Sequence, residues 1–235
     1  MMKMLKTAML TLVLLGVALP LSAQAQIVQL TFEGLQDYEE IQDFYNGGTG
    51  SQGSSGPDYG VSFGPGALAL IDSDAGGSGN FANEPSPDTV AFWVTAQSLV
   101  MNVPAGFSTG FSFYYTSSTA ATVTVYDGPD ATGTVLGQID LVAQHTANNC
   151  TGDPSGTFCN WSAGGVDFNG TARSVDFSGT ANQIAYDNIT FGSSNPDAPT
   201  PVLLPVAVPT LSQWGLLTLV LLIGLAGLVG MRRVY

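Results

Sequence analysis

Eighteen Asp and Glu residues, one histidine and two cysteines carry whatever chemistry this 235-residue chain performs. His145 would have to serve any Ser-His-Asp triad, and no G-x-S-x-G elbow accompanies it, so it reads as a loop histidine. Glutamate occurs only at 33, 39, 40 and 84. A glycosidase needs two carboxyl groups about 5 to 10 Å apart across a cleft, and no E-x-D-x-E spacing marks one strand face. The better-founded pair is Glu33 in "LTFEGL" with Asp187 in "AYDNITFG". Asp187 has the parity of Ile189 and Phe191, which puts a carboxylate on an apolar side where an unpaired charge is costly. Glu33 ends the first strand and can approach Asp187 if the terminal strands pair. Carboxylates with backbone carbonyls form the usual calcium shell, so the pair predicts a calcium site. The plainer reading has Asp187 capping a turn and Glu33 facing solvent. Asp72 and Asp74 in "LIDSDAGGSGN" form a second acidic, Gly-rich loop that lacks the terminal glutamate of an EF-hand.

Charge narrows the partners. Lys3, Lys6, Arg232 and Arg233 sit in the end segments, so Arg173 is the single cation among eighteen acids in between, and that middle region carries −17. Phosphate neutralisation needs clustered Lys and Arg, so nucleic-acid binding is excluded as a role. Solubility and divalent-cation binding are both open uses for the excess acids. Cys150 and Cys159 bracket the turn-forming "TGDPSGTF", which in an exported chain reads as one local disulfide.

Short alternating runs must position these groups. From "IVQLTF" through "YGVSFG", "ALALID", "TVAFWVT", "SLVMNV", "GFSFYYT", "ATVTVYD", "TVLGQIDL", "GVDFNG" and "RSVDFSG" to "IAYDNITF", β-branched and aromatic residues alternate with polar ones between turn formers. About eleven such strands predict an all-β, antiparallel β-sandwich of two packed sheets, jelly-roll-like, over residues 26–194. "YNGGTGSQGSSGPDYG", 45–60, reads as a mobile surface loop without a core. Phe92 and Trp93 are neighbours, so one is expected in the core and the other partly exposed. Trp93, Trp161, Tyr114, Tyr115 and Tyr126 are the rings that could stack on sugars, against the plainer reading that they are sandwich core.

The middle region, through "FEGL", "YDNITFG" and its strand number, resembles the galactose-binding-like jelly rolls and carbohydrate-binding modules. That resemblance implies a structural calcium shared by Glu33 and Asp187 and a carbohydrate ligand.

Both ends are addresses. Residues 1–25 have Lys3 and Lys6, an apolar run and Ala23-Gln24-Ala25, the parts of a secretory signal peptide. A Pro-rich linker, 195–208, leads to 209–235, where an apolar run from Leu216 to Met231 is long enough for one transmembrane helix. Arg232 and Arg233 form the membrane stop that stays in the cytoplasm. "VPTLSQWG" before that helix resembles the IPTL-CTERM sorting signal, a relative of the PEP-CTERM signals of Gram-negative bacteria, through Val208, Pro209, Thr210, Leu211, Trp214 and Gly215. Val208 stands where the family usually has isoleucine. The resemblance implies an inner-membrane precursor, processed by an exosortase-type protease and released to the cell surface or matrix, in bacteria that make exopolysaccharide. The expected role is therefore a non-enzymatic surface or extracellular-matrix protein, with exopolysaccharide as candidate ligand and calcium as candidate ion. A secreted polysaccharide hydrolase and a non-binding structural coat protein are the alternatives.

Overall fold

A computed structural model describes residues 27–151, 153 and 156–198. The signal peptide, the sorting motif (Val208, Pro209, Thr210, Leu211, Trp214, Gly215), the transmembrane helix and its stop at Arg232 and Arg233 lie outside the described residues.

The described residues are all-β and antiparallel. Nine strands occur: β1 (Val28–Leu30), β2 (Ser62–Phe63), β3 (Leu68–Ile71), β4 (Thr89–Phe92), β5 (Leu99–Ser117), β6 (Ala121–Tyr126), β7 (Val135–Leu141), β8 (Ser162–Phe177) and β9 (Ile184–Phe191). They pair in the order β3-β4-β9-β5-β8-β6-β7, with β1 also on β9 and β2 also on β5. Pairing therefore runs through one continuous sheet, an arrangement that fits a β-sandwich, rather than through the two separate sheets expected.

The strand number falls from eleven to nine for a local reason. "SLVMNV" and "GFSFYYT" fuse across Pro104-Ala105-Gly106 into β5, and "GVDFNG" and "RSVDFSG" fuse across Gly170 into β8. Gly106 (φ 78°) and Gly170 (φ 104°) are left-handed positions, and the β5–β8 register shifts between Asn102, Phe107 and Thr109. Bulges of this kind bend a strand without ending it.

One apolar core collects inward residues of most strands, with Phe113 and Phe177 each in ring contact with the other and with Phe111 and Tyr186, and Trp93 stacked on Tyr186. A second, smaller cluster lies on the opposite side of β3, β4 and β9, where Leu70, Phe81, Val90, Phe92 and Ala185 pack with Phe158 and Trp161. This changes the expectation for Phe92 and Trp93: both are buried, because each faces a different cluster. Tyr115 is also core, while Tyr114, Tyr126 and Trp161 are half-buried.

The disulfide loop supplies the cover for that second cluster. Cys150 and Cys159 are joined. Thr157 and Phe158 donate their amides to the Asn80 carbonyl, and Ala82 donates to the Phe158 carbonyl. Trp161 donates its indole N–H to the Ala82 carbonyl (3.1 Å). The loop is thus sewn to residues 80–82 by backbone bonds as well as by sulfur.

Residues 45–60 also differ from expectation. Glu39, fully buried, accepts amide hydrogens from Gln36 (2.8 Å), Gln52 (2.9 Å) and Ser54 (3.1 Å). Tyr45 is buried; its hydroxyl oxygen accepts the Phe32 amide hydrogen (2.7 Å), and its ring stacks on Tyr59. A Gly/Ser-rich segment cannot order itself through side-chain burial, so the buried carboxylate organises it through its backbone. Past β9 the chain turns back at Gly192, and its next residues lie on β5. Ser112 donates to the Ser193 carbonyl (2.9 Å), Gln29 to the Pro196 carbonyl (2.7 Å) and Tyr114 to the Asp197 carboxylate (2.8 Å). Gly110 and Gly165 leave the space that the Ser194 backbone fills.

Candidate functional site

Pairing of β1 with β9 (Leu30 opposite Ile189) brings the end of the first strand beside the last. Glu33 and Asp187 meet there through a third party, Ser86. Asp187 is fully buried; its Oδ2 accepts the Ser86 amide (2.7 Å), and its Oδ1 accepts the Ser86 hydroxyl and the Asn188 amide (2.6 Å each). Glu33 Oε1 accepts the amides of Asp88 (3.1 Å) and Thr89 (3.0 Å), and Oε2 accepts the Thr89 hydroxyl (3.2 Å). Burial lifts the Asp187 carboxyl to about 6, the Ser86 and Asn188 bonds work against that rise, and the Glu33 charge adds to it.

Asp187 does not lie on the side of Ile189 and Phe191 that its strand parity predicts. Asn188 takes a left-handed φ of 48°, and the β5–β9 register shifts between Ser112 and Tyr114, so alternation breaks at that point. Tyr186 and Ile189 both enter the main core, and Asp187 shares the side of Ala185. Its burial comes from the Ser86–Thr89 segment lying over it, which no periodicity in β9 encodes.

Oxygen atoms crowd the Ser86 hydroxyl. The Thr31 carbonyl (3.2 Å), Glu33 Oε1 (3.4 Å) and Asp187 Oδ1 (2.6 Å) all lie within its reach, and a hydroxyl has one hydrogen for these three acceptors. Two carboxylates, a carbonyl and a hydroxyl are hard oxygen donors of the kind calcium takes, so the residues fit that ion. Only two carboxylates take part; among the described residues no three of Asp, Glu, His or Cys converge as a metal cluster.

A second acidic place opens next door. Asp72, Asp74, Glu84, Asp88 and Asp153 line one pocket together with Asn83 and Thr151. Asp72 and Asp74 stand out in the sequence as one acidic loop, whereas Glu84, Asp88 and Asp153 come from two other segments. Burial raises Asp72 to about 6, reinforced by the charges of Asp74 and Asp153. Burial likewise raises Glu84 to about 7, reinforced by Asp72, Asp74 and Asp187. Segment 84–89 connects the two acidic places, because Asp88 lines the pocket while its amide holds Glu33. Ser86 was invisible in the sequence except as a polar residue between two prolines.

A third, open pocket lies at the β5–β8 bulge, lined by Ser108, Thr109, Asp167, Phe168, Asn169 and Gly170. Thr109, a β-branched residue, sits at φ 77° there, a strained conformation that its hydroxyl bond to the Gly192 carbonyl (2.7 Å) helps hold. His145 takes no part in any of these places; its ring lies against Phe158.

The IPTL-CTERM motif family matches residues 206–233. A search of curated proteins gives no match. Among solved structures, the chain is similar to CsCBM6-3 from Clostridium stercorarium in complex with cellobiose, at 18% identity and a TM-score of 0.36, covering 57% of this chain and 87% of that one. It is similar to the K2 cleaved adhesin domain of Lys-gingipain at 14% identity and a TM-score of 0.43, covering 70% and 97%. It is also similar to a family 43 arabinoxylan arabinofuranohydrolase from Bacillus subtilis in complex with cellotetraose, at 17% identity and a TM-score of 0.34, covering 53% and 24%.

Proposed function

We propose that this chain is an exported surface protein, delivered by its C-terminal sorting signal, whose β domain binds neutral carbohydrate and holds a structural calcium. The observation that carries the first part is the IPTL-CTERM match at 206–233. Such a motif, ahead of an apolar run and Arg232-Arg233, directs an exosortase-type protease to a membrane-held precursor. Mass spectrometry of the protein taken from the producing cells is expected to find its C-terminus near the motif. A surface-exposed protein that retains Tyr235 would overturn the processing step.

Carbohydrate suits the domain because a partner must tolerate one cation among eighteen acids. A hydroxyl-rich, uncharged polymer meets no repulsion and can donate to carboxylates. The bulge pocket offers such groups in Ser108, Asp167 and Asn169. Affinity electrophoresis against neutral and acidic exopolysaccharides tests this, with retardation expected in the neutral gels alone; no retardation in any gel would remove the reading. Calcium would be held by Glu33, Asp187, the Ser86 hydroxyl and the Thr31 carbonyl, with water completing the shell. It would lock the first strand, the last strand and segment 84–89 together, so thermal stability should rise with added calcium and fall with a chelator.

A polysaccharide hydrolase is the second reading, favoured by Glu84. A carboxyl raised to about 7 by burial and by the neighbouring Asp72 and Asp74 in an open pocket is poised as a general acid. Release of reducing ends from the polysaccharide that binds, lost in Glu84→Gln, would establish it.

A further inference from the structure

The second apolar cluster encloses a cavity. Leu70, Phe81, Phe92, Phe158 and Ile184 form its walls, and Asn80 and Asn182, both exposed, stand at its mouth. Thr116, opposite Ala185 in the neighbouring strand, lies at its floor. Thr116 is fully buried, and its Oγ1 has no hydrogen-bond partner among the described residues. Leaving a buried hydroxyl unpaired is costly, and the rest of the floor, Ala185 beside it in the next strand, supplies no polar atom to relieve it.

Size and chemistry together specify an occupant. The cavity is about 30 Å³. That exceeds the room one water needs and is far too small for a pyranose ring. Three aromatic walls suit a methyl group, the floor hydroxyl suits a carbonyl acceptor, and the two carboxamides at the mouth suit an amide N–H and ring hydroxyls. One substituent common on sugars has a methyl, a carbonyl and an N–H in that order. We propose that this cavity is a binding site for the acetamido group of an N-acetylated amino sugar, with the sugar ring resting outside between Asn80 and Asn182. The inference rests on the carbohydrate-binding reading and adds to the bulge pocket a second, separate contact that names the sugar class favoured.

The site is built by the disulfide loop. Phe158 is positioned as a wall by its amide bond to the Asn80 carbonyl (3.0 Å) and by the Ala82 amide on its own carbonyl (3.0 Å). The Cys150–Cys159 bond fastens the segment that carries it. A disulfide thus acquires a role in recognition beside its role in stability.

The test uses the full chain in detergent micelles, with N-acetylglucosamine, N-acetylgalactosamine, glucose and galactose compared by calorimetry, and N-methylacetamide as the isolated group by NMR. The acetamido sugars should bind about tenfold more tightly than their parents, a difference of the size that one hydrogen bond and one buried methyl supply. Ala185→Leu fills the cavity and should remove that preference. Thr116→Val keeps the shape, deletes the unpaired hydroxyl, and should reduce the preference severalfold without lowering the melting temperature, which keeps the test valid should the leucine variant not fold. N-methylacetamide should show contacts to the rings of Phe81, Phe92 and Phe158. Sugars that bind without any acetamido preference, or a preference unaltered in the folded valine variant, would overturn the cavity's role alone. Absence of binding by every sugar with N-methylacetamide still seated would remove the carbohydrate reading instead, and failure of N-methylacetamide as well would overturn both.

Discussion

Ser86→Ala should destabilise the protein through the loss of one buried, charge-assisted hydrogen bond. The Ser86 hydroxyl lies 2.6 Å from Asp187 Oδ1 at a residue with no solvent exposure. Alanine leaves Oδ1 with the Asn188 amide alone and leaves the Thr31 carbonyl and Glu33 Oε1 without this donor. A hydrogen bond to a charged, buried acceptor contributes about 1.5 to 3 kcal/mol, so a loss of about 2 kcal/mol is expected in calcium-free buffer. With a urea slope of about 2 kcal/mol per molar for a domain of this size, the midpoint should fall by roughly 1 M. The same titrations in millimolar calcium separate two roles. If Ser86 also ligates the ion, the variant should gain less from calcium than the parent protein does. A midpoint within 0.2 M of the parent in chelator, on the same slope, would refute the idea that Ser86 is what holds the two acidic residues together.

Glu39→Gln keeps the shape but turns a donor toward one of three amides; a loss of about 2 kcal/mol is expected, with faster hydrogen exchange confined to residues 47–58. Exchange that stays slow there would show that the carboxylate does not order the loop. Reducing the Cys150–Cys159 bond should cost about 2 to 3 kcal/mol in the chain-entropy picture and should raise exchange at 80–82, read in the same experiment. In pH titrations of chelator-treated protein, Asp72 and Glu84 have folded values raised to about 6 and about 7, so their contribution is full below about pH 4 and is lost as pH rises through 6 to 7. Burial pushes Glu39 up, but its hydrogen bonds from Ser54, Gln36 and Gln52 together outweigh it and hold the carboxyl below its usual range, so its contribution is lost only as pH falls through that lowered value in strong acid. The melting temperature should therefore climb from pH 8 to 5 and drop in stronger acid. A steady decline from pH 8 downward would contradict these environments.

Composition and local pattern were enough for the class of fold, the anionic middle region, the pairing of two nearby cysteines and the sorting motif at 206–233. Each of these is written in adjacent residues or in period-two alternation, and needs no knowledge of distant neighbours. Tertiary structure alone decided the rest. Bulges at Gly106 and Gly170 turned four expected strands into two, and Asn188 broke the alternation on which Asp187 had been placed. Phe92 became core because a disulfide loop more than fifty residues away covers it, and Ser86 became the link between Glu33 and Asp187 because a proline-flanked loop crosses both. Thr116 looks in sequence like any outward strand threonine. Only the arrival of Phe81 and Phe158 above it makes it part of a cavity floor. A residue's own chain neighbours set its parity, whereas burial and partnership are set by whatever long-range packing lays over it.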